Sequence, residues 1–190
     1  EQVKAVVDLL ALTKDKPQYA NLHQVARIMK VFTFHRITDL YGDVPYFQAG
    51  RGYYDQVLTP VYDKQQDIYM DMLKELDEAS QALSTSGGAV NNDLVYQGNI
   101  ENWKKLANSL ELRLAMRLVK ADAANAKTFA AKAIGRGILD NENQDAIVFG
   151  SEEGDRLTKN RVSQVILQGY ERSADRVSAT FVNWLKSKEG

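Results

Sequence analysis

The side chains in this chain that could do chemistry are histidines, carboxylates and tyrosines, and their spacing narrows what that chemistry is. The two histidines, His23 and His35, form no His-x-x-x-His pair and have no carboxylate at ligand or relay spacing. There is no cysteine, which excludes a thiolate nucleophile, a disulfide framework and cysteine-ligated zinc. No nucleophile elbow, phosphate loop or Gly-rich fingerprint is present. Asp39 and Asp43 could in principle act as the acid and base of a glycosidase. Nothing marks either with a raised pKa, and helical bundles of this size seldom carry such sites. The acidic run of Asp67, Asp71, Glu75, Asp77 and Glu78 reads as a solvated helix face rather than a metal site. The chain is expected to be non-catalytic, with no cofactor and no metal.

Binding chemistry is better represented. Residues 42–62 lack clear periodicity and join two helical stretches; connections of that length inside a compact domain are often functional. Tyr46, Phe47, Tyr53, Tyr54 and Tyr62 lie there, with Gln48, Arg51, Asp55 and Gln56 between them. An aromatic face can stack on the C–H face of a sugar ring, while Arg, Asp and Gln hydrogen-bond its hydroxyls. The candidate ligand-binding residues are Tyr46, Arg51, Tyr53, Tyr54 and Asp55. The same aromatics would equally serve to pin the loop to the helices beneath it. If the segment is extended, Tyr53 and Tyr54 point opposite ways, so at most one can face a ligand while the other packs inward.

The elements that must position this loop are helical. Residues 21–47 are apolar on several sides: Leu22, Val25, Ala26, Met29 and Phe32 recur at helical spacing, and Ile28, Val31, Phe34, Ile37, Leu40 and Tyr41 fill further faces. Such a helix lies between neighbours in an all-helical core. Arg27, Lys30, His35, Arg36 and Asp39 fall inside the run and rule out a membrane span. Gly42 and Pro45 stop it. Before it, residues 1–14 form a short amphipathic helix with Val3, Val6, Val7, Leu10 and Ala11 on one stripe. After the loop, Asp63 and Gln66 suggest a capping box. The helix that follows buries Tyr69, Met72, Leu73, Leu76, Ser80 and Leu83, with Asp71 and Lys74 able to pair on its wet face. Residues 84–88 should be a mobile turn.

Asn99 is placed to cap the next helix, whose stripe is Trp103, Leu106, Ala107, Leu110, Leu114 and Leu118. Asn108 and Ser109 are poor interior helix residues, and make sense if they bond a neighbouring loop such as the one with Asp43. Arg113 and Arg117 are suited to hold a carboxylate or helix-end carbonyls. An Ala-rich helix over 124–135 turns Phe129, Ala130, Ala133 and Ile134 to one side. Ala146–Phe149 is a short apolar run of either extended or turn structure. Residues 150–161 read as a surface loop, and Val162, Val165, Ile166 and Tyr170 suit a helical turn or two. Ser178 caps a last helix with Phe181, Val182, Trp184 and Leu185 inward.

Three segments resemble one family in its order. "RITDLYGDVPY", "YDKQQDIYMDMLKELDEASQAL" and "NWKKLANSLELRLAMRLVKAD" are similar to motifs of the SusD/RagB nutrient-binding lipoproteins, in their second SusD-like subfamily, and "VSATFVNWLKSKEG" resembles a further helix. The resemblance implies an all-α, tetratricopeptide-like helical array with long loops. It also implies glycan or other oligomeric nutrient binding at the cell-surface side of the outer membrane, a lipid anchor outside this chain, and delivery to a TonB-dependent SusC-like transporter. A helical-repeat scaffold that binds only protein is the alternative. The family's Asp-Pro-Arg motif is expected beyond Gly190, so the chain reads as a single helical domain over 1–190 within a longer protein.

With 190 residues the chain can bury a sizeable core. A net charge of −1 and a pI near 6.2 argue against a nucleic-acid partner.

Overall fold

Some helices here begin where a polar side chain satisfies a free N–H group, as at Asn99, Asp122 and Ser178. The computed structural model describes residues 2–148 and 178–187. By compactness the chain divides into two units, Glu1–Ile147 and Val148–Gly190. In the first unit, α1 (Gln2–Thr13), α2 (Ala20–Tyr41), a one-turn α3 (Gly52–Asp55), α4 (Gln65–Ala82), α5 (Ile100–Arg117) and α6 (Ala123–Arg136) follow in order. Short 3₁₀ turns span Pro17–Tyr19 and Glu142–Gln144. In the second unit, α7 spans Ala179–Lys186. No strand occurs among the described residues; Val44 and Asp63 form an isolated antiparallel bridge.

The long helices pack each on the next: α1 on α2, α2 on α4, α4 on α5, and α5 on α6. This is the all-α, tetratricopeptide-like array expected. Val25, Ile28, Val31 and Phe34 of α2 meet Ile68, Met72, Leu73 and Leu76 of α4, and Trp103, Ala107, Leu110 and Leu114 of α5 complete the core. Each large apolar side chain buried there contributes roughly 1.5–3 kcal/mol.

Caps follow the sequence in part. Asn99 accepts from the Asn102 N–H at 3.1 Å, Asp122 from Asn125 at 3.1 Å, and Ser178 from Phe181 at 3.1 Å. The capping box at Asp63 and Gln66 does not form. Asp63 is drawn back to the loop, where its Oδ2 accepts the N–H groups of Tyr46 (2.8 Å) and Phe47 (2.9 Å). Asp43 takes over at α4, accepting the Gln65 N–H at 2.9 Å.

Other expectations are corrected by tertiary contacts. Asp71 does not pair with Lys74; it faces Lys30 and Tyr46, and Lys74 approaches Glu78 at 3.9 Å. Asn108 and Ser109 do bond a loop, but the one after α6: Asn108 donates to Gly137 O at 2.7 Å and Ser109 Oγ accepts from Leu139 N at 2.9 Å. Arg117 pairs with Asp39 at 3.0 Å, while Arg113 is exposed. Phe32, Leu40 and Tyr41 of α2, Ile134 of α6, and Phe181, Trp184 and Leu185 of α7 are exposed rather than inward. Ile147 and Val148 are exposed too. Phe149, the loop over 150–161 and the turn at Val162–Tyr170 lie outside the described residues.

The turn at 84–88 is tied down. Buried Asn21 donates to Ser84 O (2.7 Å) and Gly88 O (2.8 Å) and accepts from Ser84 N (3.0 Å). Gly88 has φ +84, and a Cβ there would stand 2.3 Å from Gln18 O. Glycine at this position lets the turn close on the α1–α2 connection.

Candidate glycan-binding groove

The 42–62 loop is held at both ends before it reaches any ligand. Asp63 N–H donates to Val44 O at 3.0 Å, which closes the base of the loop. Gln48 Oε1 accepts the Val61 N–H at 3.2 Å. Gly50 has φ +72, and a Cβ on it would meet Val7 Cγ2 at 3.0 Å, so glycine here allows the loop to lie directly on α1. Between these ties the chain forms α3, so Tyr53 and Tyr54 sit on a helical turn and not on an extended segment. Their rings meet edge to face at 5.3 Å.

Where this loop crosses α1, α2 and α4 it leaves an open groove of about 480 Å³. Val7, Leu10 and Ala11 of α1 make an apolar wall. Phe47, Arg51 and Tyr54 of the loop form the opposite rim, and His23, Lys30, Asp71 and Glu75 form a polar floor. The floor is pre-organised. Tyr46, 2% exposed, donates its hydroxyl to Asp71 at 2.7 Å, and Lys30 lies over the Tyr46 ring at 4.3 Å. Lys30 also stands 3.5 Å from Asp71 and 4.0 Å from Glu75. Arg27 holds Glu75 and Glu78, each at 2.5 Å. A cation on an aromatic face with a carboxylate beside it has little freedom to move.

Burial and then the nearby Asp71 carboxylate push the Tyr46 hydroxyl well above the usual phenol range, so it stays a donor. Burial, reinforced by Arg27, lowers His23, which keeps its imidazole neutral near pH 7. Its Nδ1 lies 2.9 Å from Thr13 Oγ1. Partial burial and the neighbouring Asp8 raise Tyr54. The groove therefore offers hydroxyl and imidazole groups, the ammonium groups of Lys14 and Lys30, the Arg51 guanidinium and the carboxylates of Asp71 and Glu75, beside exposed aromatic rings. That set suits a polyhydroxylated neutral ligand. Among the described residues no cluster of His, Asp and Glu could hold a metal ion.

Of the five residues picked from sequence, the structure brings three together. Arg51 and Tyr54 (41% exposed) line the rim, and Tyr46 lies beneath it as a core residue with only its hydroxyl on the floor. Tyr53, 85% exposed, does not line the groove. Asp55 pairs with Arg51, which lowers the carboxylate and raises the guanidinium. His23, Lys30, Phe47, Asp71 and Glu75 were not chosen. Lys30 is one of several charges in α2, and nothing in the sequence distinguishes it from Arg27 or Arg36 as a groove residue.

The chain matches a family described as SusD-like, starch-binding and associating with the outer membrane, over residues 1–189. Among solved structures, a chitin-binding protein is 38% identical with a TM-score of 0.86, over 97% of this chain and 38% of that one. A chitin-binding SusD homologue from Flavobacterium johnsoniae is 31% identical, TM-score 0.72, over 85% of this chain and 33% of its own. A Bacteroidetes SusD-like protein is 34% identical, TM-score 0.71, over 78% and 27%. This chain thus spans 27–38% of the length of those structures. No curated protein matches it. The family description is one of binding, not of a reaction. The chain belongs to the SusD-like family of starch-binding proteins that associate with the outer membrane.

Proposed function

We propose that the full protein binds an oligosaccharide at the cell surface without chemically altering it, and that the groove between α1, α2, α4 and the 42–62 loop takes part of that ligand. One observation carries this reading: aromatic side chains and a hydrogen-bonded set of polar groups line one groove. Two similar structures are described as chitin-binding, so the ligand class we favour is a β-linked N-acetylhexosamine oligomer. Val7, Leu10 and Ala11 give an apolar wall for an acetyl methyl group. The floor carboxylates can accept from the amide N–H, and Lys30 can donate to the carbonyl. The family description supports placement at the outer membrane; a lipid anchor and hand-over to a TonB-dependent SusC-like transporter complete the proposal.

The test is titration of the full-length protein with chitin oligomers and with malto-oligosaccharides by calorimetry. Tyr54→Ala and Phe47→Ala should each weaken binding by about 1–3 kcal/mol, the scale for rings stacked on aromatic side chains. Tyr53→Ala should bind like the parent. Parent-like affinity in both rim variants would place the glycan site elsewhere and leave this groove to a protein partner.

A further inference from the structure

Outside the groove lining, α6 packs on α5 with few buried apolar side chains. Its buried side chains are Ala126 and Ala133, with Phe129 and Ala130 partly covered. What fixes it is a polar cluster at its C-terminal end. Arg136 reaches Asp77 of α4 at 2.7 Å, Asn108 of α5 at 3.2 Å, and Glu111 of α5 in a close ion pair. Lys132 adds a second contact to Asp77 at 2.8 Å. Asn108 accepts from Ser80 at 2.6 Å and donates to Gly137 O at 2.7 Å.

Glu111 is the anomalous member. Its side chain is 0% exposed, and Oε1 has no hydrogen-bond partner among the described protein groups. Its one close cation, Arg136, is shared with a second carboxylate. A buried carboxylate with an unpaired oxygen and half a counter-ion is costly to keep ionised. The charges acting on it are Arg136 and Lys132 from α6 and Asp77 from α4; α2, which also touches α5, adds none of those acting on it.

We infer that Glu111 is a buried proton-binding site that couples the docking of α6 on α4 and α5 to pH. Protonation lets the orphan oxygen's carboxyl become neutral and leaves Arg136 wholly to Asp77 and Asn108. The shift agrees in direction: burial, partly opposed by Arg136 and reinforced by Asp77, pushes Glu111 from 4.5 up to about 7. For an acid raised in the folded state, the folded chain holds a proton that the unfolded chain has released. Its contribution to stability is therefore full at low pH and falls as pH rises from about 4.5 through about 7.

The experiment is urea unfolding of the full chain and of Glu111→Gln between pH 5 and pH 8. The parent's folding equilibrium constant should drop by on the order of 100-fold more than the variant's over that range. Backbone amides of α6, corrected for intrinsic exchange, should be better protected at pH 5.5 than at pH 8 in the parent alone. Equal pH dependence in parent and variant would overturn the inference. Should the variant fail to fold, carbon-13 titration of glutamate carboxyls in the parent decides. A midpoint above 6 for one carboxyl upholds the inference, and all midpoints below 5.5 overturn it.

Discussion

Asp93 shows how one carboxylate can organise the connection between α4 and α5. Its oxygens accept the N–H groups of Val95 (2.9 Å), Tyr96 (3.2 Å) and Gly98 (3.0 Å), and the indole N–H of Trp103 (2.7 Å). Burial alone would raise its pKa; the hydrogen bonds from Trp103, Gly98, Val95 and Tyr96 outweigh burial and hold it below the ordinary carboxylate value. An acid lowered in the folded state contributes stability above its unfolded pKa and loses it as pH falls through the lower folded value. Asp93→Ala should cost about 2–4 kcal/mol in urea unfolding, because buried donors lose their acceptor together. Trp103, 2% exposed, anchors the same corner against Tyr96 with ring centroids 5.3 Å apart. Trp103→Ala should cost roughly 3–5 kcal/mol. A loss below about 1 kcal/mol would contradict the burial described for it.

For the elements, helical periodicity carried the reading and long-range hydrogen bonds limited it. The stripes of α4 and α5 were legible because apolar residues at turn spacing have one physical use, burial. The Asn99 cap was legible because its partner is three residues away. Asp63 was misread because its partners, Tyr46 and Phe47, lie across the loop, and no local pattern announces them. Asn21 gives no sequence signal for the same reason, since its bonds reach Ser84 and Gly88. In the groove, the aromatic rim was legible from composition, whereas the floor of Lys30, Asp71 and Glu75 required knowing that α2 and α4 are neighbours. The turn after α4 is held by the Asn21 side chain together with the backbone bond from Asn21 N–H to Gly87 O at 2.8 Å. Asn21→Ala should destabilise by about 2–3 kcal/mol, and should speed amide exchange at Ser84 relative to the centre of α4. If exchange at that amide is unchanged, the turn is held by its backbone alone.

For the molecule, all buried members of the main core cluster among the described residues, from Val25 to Ala115, lie in the first unit. So do the groove and the Glu111 cluster. The long helices of that unit mostly contact their sequence neighbours, a local contact pattern that favours fast folding. The second unit's described helix, α7, has Phe181, Trp184 and Leu185 exposed. Residues 1–147 alone should then unfold cooperatively in urea, with a midpoint close to that of the 190-residue chain. The chain has two tryptophans, and they separate the units spectroscopically. Trp103 should report a buried, blue-shifted indole that red-shifts on unfolding of 1–147, while Trp184 in the longer chain adds a wet signal insensitive to that transition. A fragment that expresses but shows no cooperative transition would mean that residues 148–190 complete the core, and the groove would then need them in place to hold its shape.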